Sequence, residues 1–231
     1  MDTGLAREGA GWERMAALPP LGADELHVWR VSVRQTAAVL ERWRGLLDER
    51  ERARLARFHF PDDARRELVS RGALRFLLGG YLGADGATLP FATEGRGKPV
   101  LAGAPAPERI EFNTSHSGEW VLLGFARGRA LGIDVERWRE FPSWEIVAEY
   151  FAPAEITEWD AVPLAARTEA FFNGWTRKEA YLKALGLGLA KSLASFQVRL
   201  APGLSPALVA DAEDAGAAER WELAALPMPA G

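Results

Sequence analysis

The chain has 231 residues, enough for one large domain or two small ones with a sizeable core. Its 48% hydrophobic and 26% charged residues are typical of a soluble globular protein, and a net charge of −4 gives no basic signature of nucleic-acid binding. The lack of cysteine excludes disulfides and zinc–thiolate sites, and no stretch reaches the ~20 apolar residues of a membrane span. We therefore expect a cytoplasmic protein with no nucleic-acid and no membrane partner.

The first part of the chain has the pattern of a mixed α+β protein. Residues 1–24 show no clear period and are interpreted as a loose leader without signal-peptide features. Alternation predicts a strand over 25–33, and apolar spacing predicts helices over 35–47, 49–57 and 62–82. Asp62 and Asp63 are predicted to cap the last of these helices, which should end at Gly83.

Further strands and helices follow along the chain. Strands are predicted at 110–113, 120–126 and 130–136, the last two as a hairpin turning at 127–129. Helices are predicted at 144–151, from 153, and at 164–185 with a soft break at Asn173-Gly174, followed by strands at 195–200 and 220–226. The order of strand, helices and strands recurs in each part of the chain and predicts two similar α/β halves, 25–137 and 138–231. The active site is expected in the cleft between them.

Two acidic elements carry the strongest chemical signal. Gly132-Ile-Asp-Val-Glu136 would place two carboxylates on one face of a strand. In the run Trp175-Thr-Arg-Lys-Glu-Ala-Tyr-Leu-Lys183, the spacing of Trp175, Glu179 and Lys183 places them on one helix stripe. Taken alone, the first element could equally be a solvated strand edge, and Glu179 and Lys183 of the second could equally be an exposed helix pair.

Together the two elements indicate phosphate-group chemistry. Three carboxylates, Asp134, Glu136 and Glu179, suit a hard cation such as Mg2+ that also holds a substrate pyrophosphate. Lys183 beside them suits the phosphate charge, while Lys178 could serve the same purpose or face solvent.

These motifs resemble the two signatures of the 4′-phosphopantetheinyl transferase superfamily. Further motifs resemble its Sfp-type branch, in the correct order: Gly97-Lys-Pro99, Phe112-Asn-Thr-Ser-His-Ser-Gly118 and Leu193-Ala-Ser-Phe-Gln-Val198. The resemblance covers about residues 25–200 and implies a pseudo-dimeric fold in one chain, expected to be a monomer. It implies Mg2+-dependent transfer of the phosphopantetheine arm of coenzyme A to a serine of an apo acyl or peptidyl carrier protein, with release of 3′,5′-ADP.

The resemblance also implies roles for individual residues. Asp134, Glu136 and Glu179 would hold Mg2+, and Lys183 would neutralise charge on the pyrophosphate and on the leaving group. Glu179 is also a candidate general base for the carrier serine, the alternative being a metal-bound water. His116 would contact phosphate.

Coenzyme A recognition would involve residues nearer the N-terminus. The Ser115 backbone amide would contact phosphate, Lys98 would line the adenosine end, and Arg66 and Arg54 would bind the 3′-phosphate. A position where the family often has lysine falls on Glu51, for which the preceding arginine could substitute.

One departure and two alternatives stay open at the level of sequence. The family has a further strand after Trp221-Glu-Leu, whereas the sequence ends at Pro229-Ala-Gly231, so we expect lower stability than in a longer relative. The alternatives are a Mg2+-dependent hydrolase of the coenzyme A pyrophosphate and a non-enzymatic module that binds carrier proteins. The module is disfavoured because the four charged residues of the two signatures are all present.

Overall fold

The computed structural model describes residues 18–95, 97–103, 109–138 and 144–228, with Leu189 described by its backbone alone. Residues 1–17 of the predicted leader and the terminal 229–231 lie outside this part. The chain divides into two compact units. The first comprises the described residues up to Val135 together with Lys183–Gly186, and the second comprises Glu136–Leu182 and the residues from Leu187 onward. In the described part, no helix has the length and hydropathy needed to cross a membrane.

The first unit is built on a three-stranded antiparallel sheet with helices packed against it. Numbered in chain order, the sheet strands are β1 (Leu26–Ser32), β5 (Trp120–Arg127) in the centre and β4 (Ile110–Ser117). A separate hairpin pairs β2 (Phe91–Glu94) with β3 (Lys98–Leu101). The helices are α1 (Ala37–Leu46), α2 (Glu49–Leu55) and α3 (Pro61–Leu82).

The core of the first unit lies between α1, α3 and the sheet. Val31 and Phe125 of the sheet and Val69 and Leu77 of α3 have no exposed surface and belong to one apolar cluster. Burial of large apolar side chains is the main stabilising contribution in such a layer. The N-terminal helices and the central strand of the sheet therefore form one packed body.

The ends of α3 confirm one prediction and correct another. Gly83 follows the helix in the left-handed conformation, with φ of 63°, as predicted for its C-cap. The predicted capping by Asp62 and Asp63 is wrong, because Phe60 is the N-cap and makes no side-chain cap. Pro61 occupies the first helical position, where its missing N–H costs nothing, so the two aspartates fall in the first turn.

The predicted hairpin of 120–126 with 130–136 is wrong. Strand β4 runs on to Ser117, and its antiparallel partner is β5, reached through a tight turn at Gly118 with φ of 56°. Residues 130–136 form neither strand nor helix. The edge of β4 is instead capped by its own side chains: Asn113 Oδ1 accepts from Ile133 N at 3.0 Å, and Ser115 Oγ accepts from Val135 N at 3.3 Å.

The second unit contains four α-helices and one hairpin among its described residues. The helices are α4 (Trp144–Tyr150), α5 (Pro153–Ala161), α6 (Arg167–Leu185), whose last turn belongs to the first unit, and α7 (Ala217–Arg220). The hairpin pairs β6 (Phe196–Val198) with β7 (Leu208–Asp211), a strand that the sequence analysis does not predict. The predicted strand over 220–226 is wrong, because α7 ends at Arg220 and 221–228 have no regular structure.

Helix α6 is continuous, so the predicted break at Asn173-Gly174 is also wrong. Gly174 has a packing reason: a Cβ there would lie 2.4 Å from atoms of both Phe151 and Leu200. Since both of these side chains are buried in the second unit, the glycine permits close packing without ending the helix.

Candidate active site

Lys183, at the end of α6, joins three of the sequence motifs within the first unit. Its Nζ donates to Asp134 Oδ1 at 2.6 Å, to Ser115 Oγ at 3.0 Å and to the Ile133 carbonyl at 3.2 Å. Ser115 Oγ also donates to Asp134 Oδ1 at 2.8 Å. The β4 motif, the acidic element and the end of the signature helix are therefore in direct contact.

The Asp134 carboxylate is unusual in having one oxygen without a partner. Its side chain is 5% exposed, and Oδ2 makes no hydrogen bond in the described structure. A buried, unpartnered carboxylate oxygen is costly unless a cation meets it. Asp134 thus has the chemistry of a ligand for a hard divalent cation, which prefers oxygen donors.

The structure does not assemble the predicted set of three carboxylates. Within the described ranges, no group of three or more His, Asp or Glu residues is placed to hold a metal ion. Asp134 belongs to the first unit, while Glu136 and Glu179 belong to the second. The three-ligand set and its location in a cleft remain predictions from the sequence.

Strand alternation separates His116 from its neighbours. Ser115 and Ser117 are buried and share one face of β4, whereas His116 is exposed on the other face. His116 therefore does not join the Lys183 cluster, and a ligand could reach its imidazole from solvent.

Lys98 is held close to the end of α6. It lies in β3, is half-buried, and its Nζ donates to the Ala184 carbonyl at 3.4 Å. Burial lowers the pKa of Lys98, although the carboxylate of Glu111 opposes this shift. A lysine with one long hydrogen bond has donors left for an anionic ligand.

The two arginines predicted for the 3′-phosphate already have partners. Arg54 is 61% exposed and pairs with Glu67 at 3.0 Å. Arg66 pairs with Asp63 and donates to the Gly118 carbonyl at 3.2 Å. Solvent reaches one or both members of each pair, which weakens the attraction, so a phosphate could replace the acidic partner.

Glu51, which stands where the family often has lysine, has a structural role. Its backbone N donates to Asp48 Oδ1 at 2.8 Å, and its carboxylate accepts from Asp48 N at 3.1 Å, a capping box at the start of α2. The same carboxylate accepts from Arg75 Nε at 2.6 Å. Glu51 is therefore committed to internal contacts.

Arg75 is a structural residue that the sequence analysis missed. It is fully buried and donates to Asp48 and to the carbonyls of Gly86 and Leu89, at distances of 2.8 to 3.3 Å. Its position in the middle of the apolar stripe of α3 was the available signal, because an arginine there must find partners.

Lys178 neither faces solvent nor is available for phosphate. It has no exposed surface and forms an ion pair with Glu155 at 2.7 Å in the second unit. Glu155 was missed, although a proline at the first position of α5 and a glutamate at the third indicate a helix start. Trp175 packs α6 against helix α4, with its ring edge-on to that of Tyr150 at 5.6 Å.

Two family models divide the chain between them. The model described as "4'-phosphopantetheinyl transferase, N-terminal" matches residues 28–126, and that of the "4'-phosphopantetheinyl transferase superfamily" matches residues 130–226. The chain is 39% identical over 181 residues to 4'-phosphopantetheinyl transferase HetI of Nostoc sp., covering 78% of this chain and 76% of the relative. The chain belongs to the 4′-phosphopantetheinyl transferase superfamily.

A second relative gives the same result at lower identity. The 4'-phosphopantetheinyl transferase Sfp of Bacillus subtilis is 32% identical over 160 residues, which cover 69% of each chain. Membership confirms the predicted family, the α+β fold in two halves and the assignment as a transferase. The enzyme transfers phosphopantetheine to carrier proteins and uses coenzyme A as its substrate.

Proposed function

We propose that this enzyme transfers the 4′-phosphopantetheine arm of coenzyme A to a serine of an apo acyl or peptidyl carrier protein, requires Mg2+ and releases 3′,5′-ADP. The observation that carries the proposal is the contact of Lys183 with Asp134 and Ser115. It joins a cation suited to phosphate with a buried carboxylate that has an unpartnered oxygen. Its cytoplasmic location and monomeric state remain predictions from the sequence.

Asp134 would hold the metal, with Glu136 and Glu179 as the further carboxylates that the sequence predicts. When bound, Mg2+ would supply a Lewis acid for the pyrophosphate oxygens. The Asp134 side chain fits this role because Oδ1 is satisfied by Lys183 and Ser115, which leaves Oδ2 for a cation.

The residues of the chain would each perform a defined part of the displacement. The carrier serine oxygen forms a bond to the β-phosphorus, and the bond from that phosphorus to the bridging oxygen breaks, so that 3′,5′-ADP leaves as an anion. Glu179 would accept the serine proton. Lys183, whose three donors bind Asp134, Ser115 and the Ile133 carbonyl, would exchange one of these bonds for one to the pyrophosphate and neutralise the charge that develops on the leaving group.

Coenzyme A would be oriented by residues of the first unit. The exposed His116 imidazole and the Ser115 amide would bind phosphate oxygens. Lys98 would line the adenosine end, and Arg54 and Arg66 would exchange their present partners Glu67 and Asp63 for the 3′-phosphate.

The test is intact-mass spectrometry of an apo carrier protein incubated with the enzyme, coenzyme A and Mg2+. We expect the carrier to gain about 340 Da, the mass of one phosphopantetheine arm, and to gain nothing when EDTA removes the metal. Chromatography of the same mixture should show 3′,5′-ADP in equal amount. Transfer that continues undiminished in EDTA would refute the metal requirement.

A matched pair of variants tests Glu179. Glu179→Gln should lower kcat by a factor of at least ~100, as expected for loss of a general base or ligand. Glu169→Gln changes the same residue type near the start of the same helix and should stay within about threefold of wild type. Coenzyme A cleavage without any gain of carrier mass would identify a hydrolase instead.

A further inference from the structure

The second unit contains an ion pair that no step of the proposed transfer uses. Lys178 of α6 and Glu155 of α5 both have no exposed side-chain surface, and their charged groups lie 2.7 Å apart. Lys178 directly precedes Glu179 in the sequence. A fully buried charge pair next to a candidate catalytic carboxylate calls for a physical reason.

All the strong donors and acceptors of the pair are engaged. Lys178 Nζ donates to the carbonyls of Leu193 and Phe196, each at 2.7 Å, as well as to Glu155. The two oxygens of Glu155 accept from the backbone N–H groups of Val198 and Ala152, again at 2.7 Å. The pair therefore fastens α6 to the start of α5 and to strand β6.

Stability alone does not account for this arrangement. Burial raises the pKa of Glu155 and lowers the pKa of Lys178, because desolvation penalises both charged forms. Replacing a buried ion pair with apolar residues is often neutral or stabilising, and here the rings of Phe151 and Phe196 surround the ammonium group at 5.6 and 4.4 Å. Hydrophobic packing is non-directional, so apolar contacts alone would not fix the rotation of α6 about its axis.

The rotation of α6 matters because Glu179 directly follows Lys178. Successive residues are 100° apart around the helix axis, so fixing the direction in which Lys178 leaves the helix also fixes that of Glu179. A glutamate carboxylate lies roughly 6 Å from the helix axis, so a rotation of about 10° would move it by ~1 Å. Misplacement by that distance costs on the order of 100-fold in rate.

We propose that Glu155 and Lys178 are positioning residues, which fix the rotation of α6 about its axis and thereby orient the Glu179 carboxylate. The inference rests on the proposed function, in which Glu179 acts in the transfer. It assigns no contact between either residue and substrate. Loss of the pair should therefore reduce kcat while leaving the KM values for coenzyme A and carrier protein nearly unchanged.

The first experiment substitutes Glu155 on one helix and compares it with a neighbour. Glu155→Gln should lower kcat by about 10- to 100-fold with KM values within about threefold of wild type. The control is Glu158→Gln on the same helix, whose carboxylate accepts from the backbone N–H groups of Leu200 and Ala201 at 2.9 and 2.7 Å. This control should stay within about threefold of wild type, since the hydrogen bonds of Glu158 go to the backbone that follows β6 and its carboxylate is not the partner of Lys178.

A double variant separates positioning from a general structural role. If Glu155 acts through Glu179, then Glu155→Gln should cause no further loss of kcat in a Glu179→Gln background. A further loss of about 10- to 100-fold in kcat in the Glu179→Gln background would overturn the inference. If Glu179→Gln by itself keeps wild-type kcat, the proposed role of Glu179 fails first, which distinguishes the two failures.

The ammonium group can be tested chemically because the chain has no cysteine. The Lys178→Cys protein is alkylated in urea with bromoethylamine, which restores an ammonium at nearly the same distance, or with propyl iodide, which gives an uncharged side chain of equal length. Both are refolded beside wild type. We expect the aminoethyl protein to recover kcat to within about threefold and the propyl protein to remain about 10- to 100-fold slower. Equal kcat for the two folded proteins would overturn the inference; should the propyl protein not refold, the Glu155→Gln comparison decides.

Discussion

Lys183→Met should destabilise the enzyme even in the absence of substrate, because it leaves a buried carboxylate without its cation. The ammonium lies 2.6 Å from Asp134 Oδ1, so the gross attraction is roughly 6 kcal/mol at an effective dielectric constant of about 20. Breaking a fully buried pair costs ~3–5 kcal/mol. Because Lys183 is 30% exposed, solvent screens part of this, and we expect a loss of about 2–3 kcal/mol in the free energy of unfolding.

The assay is urea denaturation in metal-free buffer, followed by both circular dichroism and tryptophan fluorescence so that coincident transitions justify a two-state fit. Lys98→Met is the matched control, since among the described residues that lysine makes a single hydrogen bond, of 3.4 Å to a carbonyl, and its loss should cost less than ~1 kcal/mol. A double-mutant cycle with Asp134→Asn should give a coupling energy of at least ~1 kcal/mol. Equal losses for the two lysine variants, together with a coupling energy below about 0.5 kcal/mol, would refute the reasoning.

Three further predictions concern stability. Gly174→Ala should lower the melting temperature, at a cost of about 1–3 kcal/mol, because the new methyl group would overlap buried side chains, whereas Gly45→Ala meets no atom within 4 Å and should be neutral or stabilising. Arg75→Met should cost ~3–5 kcal/mol in urea denaturation. Arg71→Met should cost less, about 1 kcal/mol, because Glu67 keeps its ion pair with Arg54. Burial raises the pKa of Tyr81 to about 12. The stability contributed by the neutral Tyr81 hydroxyl should therefore be complete below pH ~10 and lost as the pH rises through 12. Tyr81→Phe should remove this fall of the melting temperature with pH.

The sequence predicted most helices of the first unit because their boundaries depend on local chemistry. A left-handed glycine ended α3 as expected, and apolar spacing located α1 within a few residues. Local patterns failed where a distant partner decided the outcome. The segment 130–136 has strand composition, yet the side chains of Asn113 and Ser115 bind its backbone N–H groups in place of a strand partner.

The candidate site divides in the same way. The motifs alone were sufficient to name the family, because residue type and spacing along the chain identify a signature. They favoured Lys183 over Lys178 for phosphate, but they did not predict that Lys178, five residues earlier on the same helix, is buried. Lys178 is fully buried against Glu155, and Lys183 is partly exposed beside Asp134.

The sequence by itself determined the family, the chemistry of the candidate residues and the order of most elements, since all three are properties of local pattern. Tertiary structure alone decided which charged residues are internal, Arg75, Lys178 and Glu155 among them. The physical reason is that burying a charge is tolerable only when opposite charges and carbonyls from elsewhere in the chain converge on it. That convergence depends on packing between elements, which periodicity along one element does not encode.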